Sequence, residues 1–156
     1  MDALEQRRAG WGRRSLAFLI DQCVLGVLDV AFISLALWTL MGPEFSWEDP
    51  DQLVLLVTKL SLFFLPLCLF LRGIHLGYFA YLISAQGQTL GKFLLQIRVV
   101  GADREKVGGL QALSRAIGYS LSFLPLGLGF LWILLDKNRQ GWHDKLAGTL
   151  VIKDRP

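Results

Sequence analysis

Three long apolar runs dominate the chain, at 15–41, 53–85 and 110–135, with short charged stretches between them. A hydrocarbon core of about 30 Å asks a helix for roughly 20 apolar residues, and each run meets that length. A water-soluble chain of 156 residues would have to hide all three runs in a very small core. The pattern therefore predicts a membrane protein built from helices.

The first run is read as a helix over about 15–40. Arg7, Arg8, Arg13 and Arg14 precede it, whereas 42–58 holds no Lys or Arg and carries Glu44, Glu48, Asp49 and Asp51. Basic residues mark the cytoplasmic side, so the N-terminus is expected inside and the acidic loop outside. Trp11 and Trp38 fall where indole rings favour the two interfaces. Asp21 and Asp29, together with the absence of a small-residue cleavage pattern, argue that this run is retained as a mature helix.

The second run is longer than a bilayer needs, about 50 Å at about 1.5 Å per residue. Two registers fit. One spans 53–71 with Arg72 at the inner interface, and the other, preferred, spans 60–82 with Lys59 outside and Tyr78 and Tyr81 near the inner headgroups. Lys92, Arg98, Arg104 and Lys106 then place 86–109 in the cytoplasm. Within that segment 93–100 reads as a strand, and 147–153 reads the same way through Thr149, Val151 and Ile152.

Pairing these strands requires both to lie on one side of the membrane, as the basic tail residues Lys137, Arg139, Lys145, Lys153 and Arg155 suggest. The run 110–135 must then enter and leave on one side, and Pro125, Gly127 and Gly129 supply a break in it. A single third span with the tail outside is the alternative. The expected fold class is thus an all-α membrane protein, with two transmembrane helices plus a re-entrant or interfacial helical hairpin, or a third span, and a short cytoplasmic β-pair.

Composition sharpens this reading. The chain is 53% hydrophobic, above the usual soluble range. Its net charge of +3 comes from basic residues flanking the apolar runs, with no stripe of interleaved aromatics, so no nucleic-acid partner is expected. Cys23 and Cys68 lie inside apolar runs and read as small hydrophobes. Too few His and Cys are present for a metal site, and no cofactor is expected. Gly87 to Lys92 lacks the spacing of a phosphate loop. His143 and Asp144 are adjacent and so do not face each other, and no Ser or Cys nucleophile is evident beside them.

Charges inside the apolar runs are the candidate functional groups. Asp21 lies about 10 Å into the bilayer if Arg14 marks the inner interface, and an ionised carboxylate at depth costs on the order of 3 kcal/mol unless paired. In the preferred register His75 and Arg72 fall at similar depth, and a charge cluster of Asp21, His75 and Arg72 is expected. Asp29 is deeper and is expected to face Arg72 or Lys59. Asp144 is expected to cap or salt-bridge the cytoplasmic end with Arg14, Arg98 or Arg115. Gly73 and Gly77, and Ser114, Gly118 and Ser122, are small residues at four-residue spacing, which suits close helix packing within the chain or a homo-oligomer seam.

Four ordered blocks resemble the RDD family. They are Arg14-Ser15-Leu16-Ala17-Phe18-Leu19-Ile20-Asp21, Gly87-Gln88-Thr89-Leu90-Gly91-Lys92, Ile97-Arg98-Val99-Val100, and Trp142-His143-Asp144-Lys145-Leu146-Ala147-Gly148-Thr149. By position, Arg14, Asp21 and Asp144 match the arginine and two aspartates that name the family, whereas Trp142 stands where a small or leucine-like residue is usual. The resemblance implies a bacterial multi-pass inner-membrane domain, one domain over 1–156 with a core of about 9–152. Through members that resemble cation/proton antiporters it also implies exchange of monovalent cations for protons, with Asp21, Asp29, Arg72 and His75 as the intramembrane charge network. A membrane scaffold or accessory subunit that transports nothing is the alternative, and neither reading makes the protein an enzyme.

Overall fold

A computed structural model describes residues 8–43, 45–103 and 105–154, so Arg7, Glu44, Arg104 and Arg155 lie outside the described residues. The element order is α1 (Trp11–Met41), α2 (Pro50–Gln86), α3 (Leu90–Leu94), β1 (Ile97–Gly101), α4 (Gly109–Phe123), α5 (Leu128–Leu131), a 3₁₀ turn (Trp132–Leu134), α6 (Trp142–Ala147) and β2 (Thr149–Lys153). Both α1 and α2 are long and apolar enough to cross a membrane, and little of either is covered by the rest of the chain. The large hydrophobic side chains exposed along them are mostly Leu, Val, Ile, Phe and Trp, as a lipid solvent requires. Continuous helix covers both registers considered for the second run, even through Pro66.

The chain divides into two compact units, Cys23–His75 and Met1–Gln22 with Leu76–Pro156. The first is a helical hairpin. Its acidic turn starts α2 by local chemistry: Asp49 accepts from the Asp51 amide at 3.0 Å, and Pro50 fills the first helical position, where no amide is missed. Phe32 meets Phe70 edge-on at 5.4 Å, and Lys59 donates to the Leu40 carbonyl at 3.2 Å, sealing the turn end of the hairpin.

In the second unit lies the conventional core. β1 and β2 pair antiparallel, from Ile97 opposite Lys153 to Gly101 opposite Thr149, with Ile97, Val99, Thr149 and Val151 on the buried face. The period-two alternation in the sequence specifies this face. Ala9 adds to the ladder through its amide to the Val151 carbonyl at 3.0 Å, so the start of α1 is tied to the tail. Phe18, Phe79, Tyr119 and Phe130 form a ring cluster with neighbouring centroids 5.0–6.0 Å apart.

Between the strands, α4 and the α5 turn bend by 111°, and α4 packs on α6. Because the flanking segments are hydrogen-bonded to each other as β1 and β2, this apolar pair leaves and returns to the same place, which is the hairpin geometry rather than a straight third crossing. Two strand boundaries differ from expectation. Ala147 ends α6, and β2 starts only at Thr149. Phe93 and Leu94 belong to α3 rather than to the strand, because Leu90 to Leu94 close a helical turn in which the Phe93 amide donates to the Thr89 carbonyl at 2.8 Å.

Gly91 shows why α3 sits where it does. A Cβ there would lie 2.0 Å from the Ala17 carbonyl oxygen, so glycine at 91 and the small, fully buried Ala17 permit backbone-to-backbone contact between α3 and α1. Gly91→Ala is expected to destabilise the protein by at least about 2 kcal/mol. Gly109→Ala, where a Cβ meets nothing within 4 Å, should change it by less than about 1 kcal/mol. Thermal loss of helix signal in detergent measures both, and equal melting points for the two variants would refute the contact.

Candidate functional site

Two buried carboxylates organise the second unit, and α1 brings a residue to each. Arg14, in the first turns of α1, donates from Nη1 to Asp144 Oδ2 at 2.8 Å, from Nε to the Ala9 carbonyl at 3.1 Å and from Nη2 to the Val151 carbonyl at 3.1 Å. Arg115, on the inner face of α4, meets Asp144 Oδ1 in a close ion pair and bonds Thr149 Oγ1 and Tyr119 Oη. Asp144 Oδ2 also accepts the Gly141 amide at 2.9 Å, capping α6. Asp144 is 0% exposed, and Arg115 first and then its other cationic neighbours hold its carboxyl well below the usual range despite burial. Oδ1 has the cation but no well-directed hydrogen bond.

Asp21, two turns further along the same face of α1 and also 0% exposed, is held differently. Its Oδ1 accepts from Tyr78 Oη at 2.8 Å and the Gly91 amide at 2.8 Å, and its Oδ2 accepts from Thr89 Oγ1 at 2.5 Å. Lys92 Nζ lies 3.9 Å from Oδ2. The carboxylate is solvated by three hydrogen bonds with the cation as a second neighbour, which offsets its desolvation.

Each of the two units supplies its own partners to the carboxylate it holds. Asp21 draws its partners from Tyr78 and from 89–92, and His75 is spent on Asp29, whose carboxylate oxygens lie 3.0 and 3.2 Å from Nε2. Asp29 thus faces His75, and Lys59 is spent on the Leu40 carbonyl. Helical spacing explains the outcome, since Tyr78 is three residues beyond His75 and the partners nearest Asp21 sit on a separate short helix that no periodicity announces. Arg72 occupies an exposed position of α2.

Of the small residues, Gly118 is a contact, since a Cβ there would lie 2.9 Å from His143 Cα on α6. The Ser114 hydroxyl turns back to the Leu110 carbonyl at 2.8 Å. At Gly73 and Gly77 a Cβ meets nothing within 4 Å among the described residues. Lys92, Thr89 and Tyr78 were not foreseen as carboxylate partners. The only signal was the second motif block itself, which carries Thr89, Gly91 and Lys92 together.

His143 does have a hydroxyl beside it, contrary to expectation. Ser122 Oγ lies 3.2 Å from Nδ1, and Nε2 lies 3.6 Å from Asp144 Oδ1. The order is that of a hydrolytic triad, but Ser122 is 0% exposed under Gly129, where even a Cβ would come within 2.5 Å of Ser122 Cα. No substrate carbonyl can reach that hydroxyl, and Asp144 is already spent on two arginines. Burial first, and then Arg115, Arg14 and Lys92, push the imidazole down to about 3 against the opposing pull of Asp144, so it stays neutral.

Removing Asp144 strands two buried guanidinium groups, so Asp144→Asn should cost about 3–5 kcal/mol. Asp21→Asn, which keeps Oδ1 for Tyr78 and Gly91, should cost about 1–2 kcal/mol, and Asp21→Leu more than Asp21→Asn. Chemical denaturation in detergent ranks the three, and an Asp21→Asn protein less stable than Asp144→Asn would refute the assignment. His143 supplies a pH dependence. An unfolded imidazole protonates below about 6.5 and the folded one only near about 3, so the unfolded chain binds more protons as pH falls through that window and stability drops. His143→Gln should flatten the melting temperature between about pH 6.5 and about pH 4.5, and an unchanged slope would show that His143 is not its source.

The sequence pattern of the RDD family matches residues 8–148. "Uncharacterized protein YxaI" of Bacillus subtilis (strain 168) is 30% identical over 156 residues, covering 94% of this chain and 98% of its own. "Uncharacterized protein RP437" of Rickettsia prowazekii (strain Madrid E) is 32% identical over 77 residues, 49% of this chain and 43% of its own. No solved structure matches. With Arg14, Asp21 and Asp144 joined in the buried networks just described and two helices long and apolar enough to cross a bilayer, this membrane protein belongs to the RDD family.

Proposed function

We propose that the protein exchanges protons for monovalent cations across a bacterial inner membrane, with Asp29 and His75 as the proton-carrying pair. The observation that carries this reading is their contact at 3.0 Å within the two long apolar helices, at side-chain exposures of 27% and 17%. Asp21 and Asp144, in contrast, are fully enclosed by fixed donors. A carboxylate and an imidazole sharing one proton are neutral together. When that proton leaves, the pair carries one negative charge, which a monovalent cation can neutralise, so proton and cation are alternates at one place. Ionisable side chains inside apolar spans are costly and mark ion or proton paths.

Two spans make too few walls for a pathway, so the reading requires a homo-oligomer. Gly73 and Gly77, open on α2, suit a second copy. The basic flanks argue for cytoplasmic N- and C-termini and an external acidic loop. The second reading, a scaffold or accessory subunit, draws on one specific feature: Arg14, Asp21 and Asp144 are all spent on holding the fold.

Purified protein in proteoliposomes with an internal pH-sensitive dye, pulsed with sodium, lithium or potassium, tests the exchanger. Wild type should give a cation-dependent pH change, Asp29→Asn and His75→Gln should each lose at least about nine-tenths of it, roughly the tenfold effect of 1.4 kcal/mol, and Asp21→Asn should retain it in proportion to folded protein. Dye responses from folded, inserted wild type equal to those of empty liposomes would reject exchange and leave the scaffold.

A further inference from the structure

One cavity of the second unit has a basic floor and an apolar mouth. It has a volume of about 400 Å³, with Arg14, Lys92 and Arg115 among its inner residues and Leu19, Phe123 and Leu126 at its outer edge. The mouth residues are 61%, 72% and 97% exposed, so the opening faces hydrocarbon and the membrane interface rather than a polar surface.

The charge inside does not balance. The buried formal cations among the described residues are Arg14, Lys92 and Arg115, and the buried formal anions are Asp21 and Asp144, three against two. His143 also lines the cavity and adds no negative charge. Asp144 is shared by two arginines. Among the described residues Lys92 donates one directed hydrogen bond, to Thr89 Oγ1 at 3.3 Å, and stands 3.9 Å from Asp21. Its ammonium otherwise faces the rings of Phe79 at 5.7 Å and Tyr119 at 5.9 Å. An ammonium has three donors, so Lys92 retains capacity toward the cavity. The net positive field is felt at His143, where all three cations oppose protonation.

We propose that this cavity binds the headgroup of a monoanionic phospholipid, with the oxyanion against Lys92 and the two arginines and the acyl chains leaving over Leu19, Phe123 and Leu126 into the bilayer. One negative charge neutralises the buried excess, and a basic pocket among membrane helices is the expected host for an anionic headgroup. A soluble anion fits the floor equally, but it must shed its hydration at a mouth where Leu19, Phe123 and Leu126 are the most exposed residues. A lipid brings its own apolar chains to that rim. The proposal is independent of cation exchange.

The test is lipid retention by the full chain in nanodiscs containing equal amounts of phosphatidylglycerol and phosphatidylcholine, read by native mass spectrometry after release into detergent. Wild type should retain phosphatidylglycerol about fivefold over phosphatidylcholine, the size expected for one added cation. Lys92→Gln brings the count to two against two and should abolish the preference. Leu126→Glu leaves the buried network intact and sets a negative charge at the mouth, so it should reduce the preference even where Lys92→Gln does not fold. Equal retention of both lipids by wild type would overturn the proposal, as would a full preference in Leu126→Glu. Displacement of retained lipid by millimolar glycerol 3-phosphate would overturn the lipid as the source of the anion.

Discussion

Asp144, fully buried and held between two guanidinium groups, is the constraint on which the second unit rests. A carboxylate out of water is tolerable only when charge and hydrogen bonds replace its hydration. Meeting that demand fixes three elements at once: Arg14 anchors the start of α1, Arg115 the inner face of α4, and the Gly141 amide the start of α6. The same two arginines reach Val151 and Thr149, so the β-pair is bound into the network.

The two motif aspartates answer the same physical problem in different ways. Asp144 is neutralised by cations in contact, whereas Asp21 is solvated by two hydroxyls and an amide, with Lys92 one step removed. The second arrangement needs close backbone approach, because the Gly91 amide reaches Asp21 only where α3 touches α1 at Ala17. Charge at Asp21 and shape at Gly91 are therefore one requirement expressed in two motif blocks.

Cys23–His75 obeys a different solvent. Its side chains remain mostly exposed because hydrocarbon, not protein, surrounds them, and its internal specificity comes from a few directed contacts such as Asp29 with His75. A polar pair in that setting is conspicuous because nothing about lipid burial requires it. In the second unit, by contrast, Arg14, Asp21 and Asp144 all hold the fold, and three buried cations against two buried carboxylates set its cavity apart.

The sequence by itself determined the two long helices, the break in the third apolar run and the two strands. Each of these depends on local period, length and composition: uninterrupted apolar runs, Pro125 with its neighbouring glycines, and β-branched alternation at Ile97 to Val100. It also marked Arg14, Asp21 and Asp144 as a set through the order of the motif blocks. Only the tertiary structure decided who partners whom. Asp144 meets Arg14 across 130 positions and Asp21 meets Gly91 across 70, and no periodicity carries information over such separations. Depth along a helix suggested His75 for Asp21, but depth fixes one coordinate of three. The short helix α3, invisible to a reading of apolar runs, supplied the others.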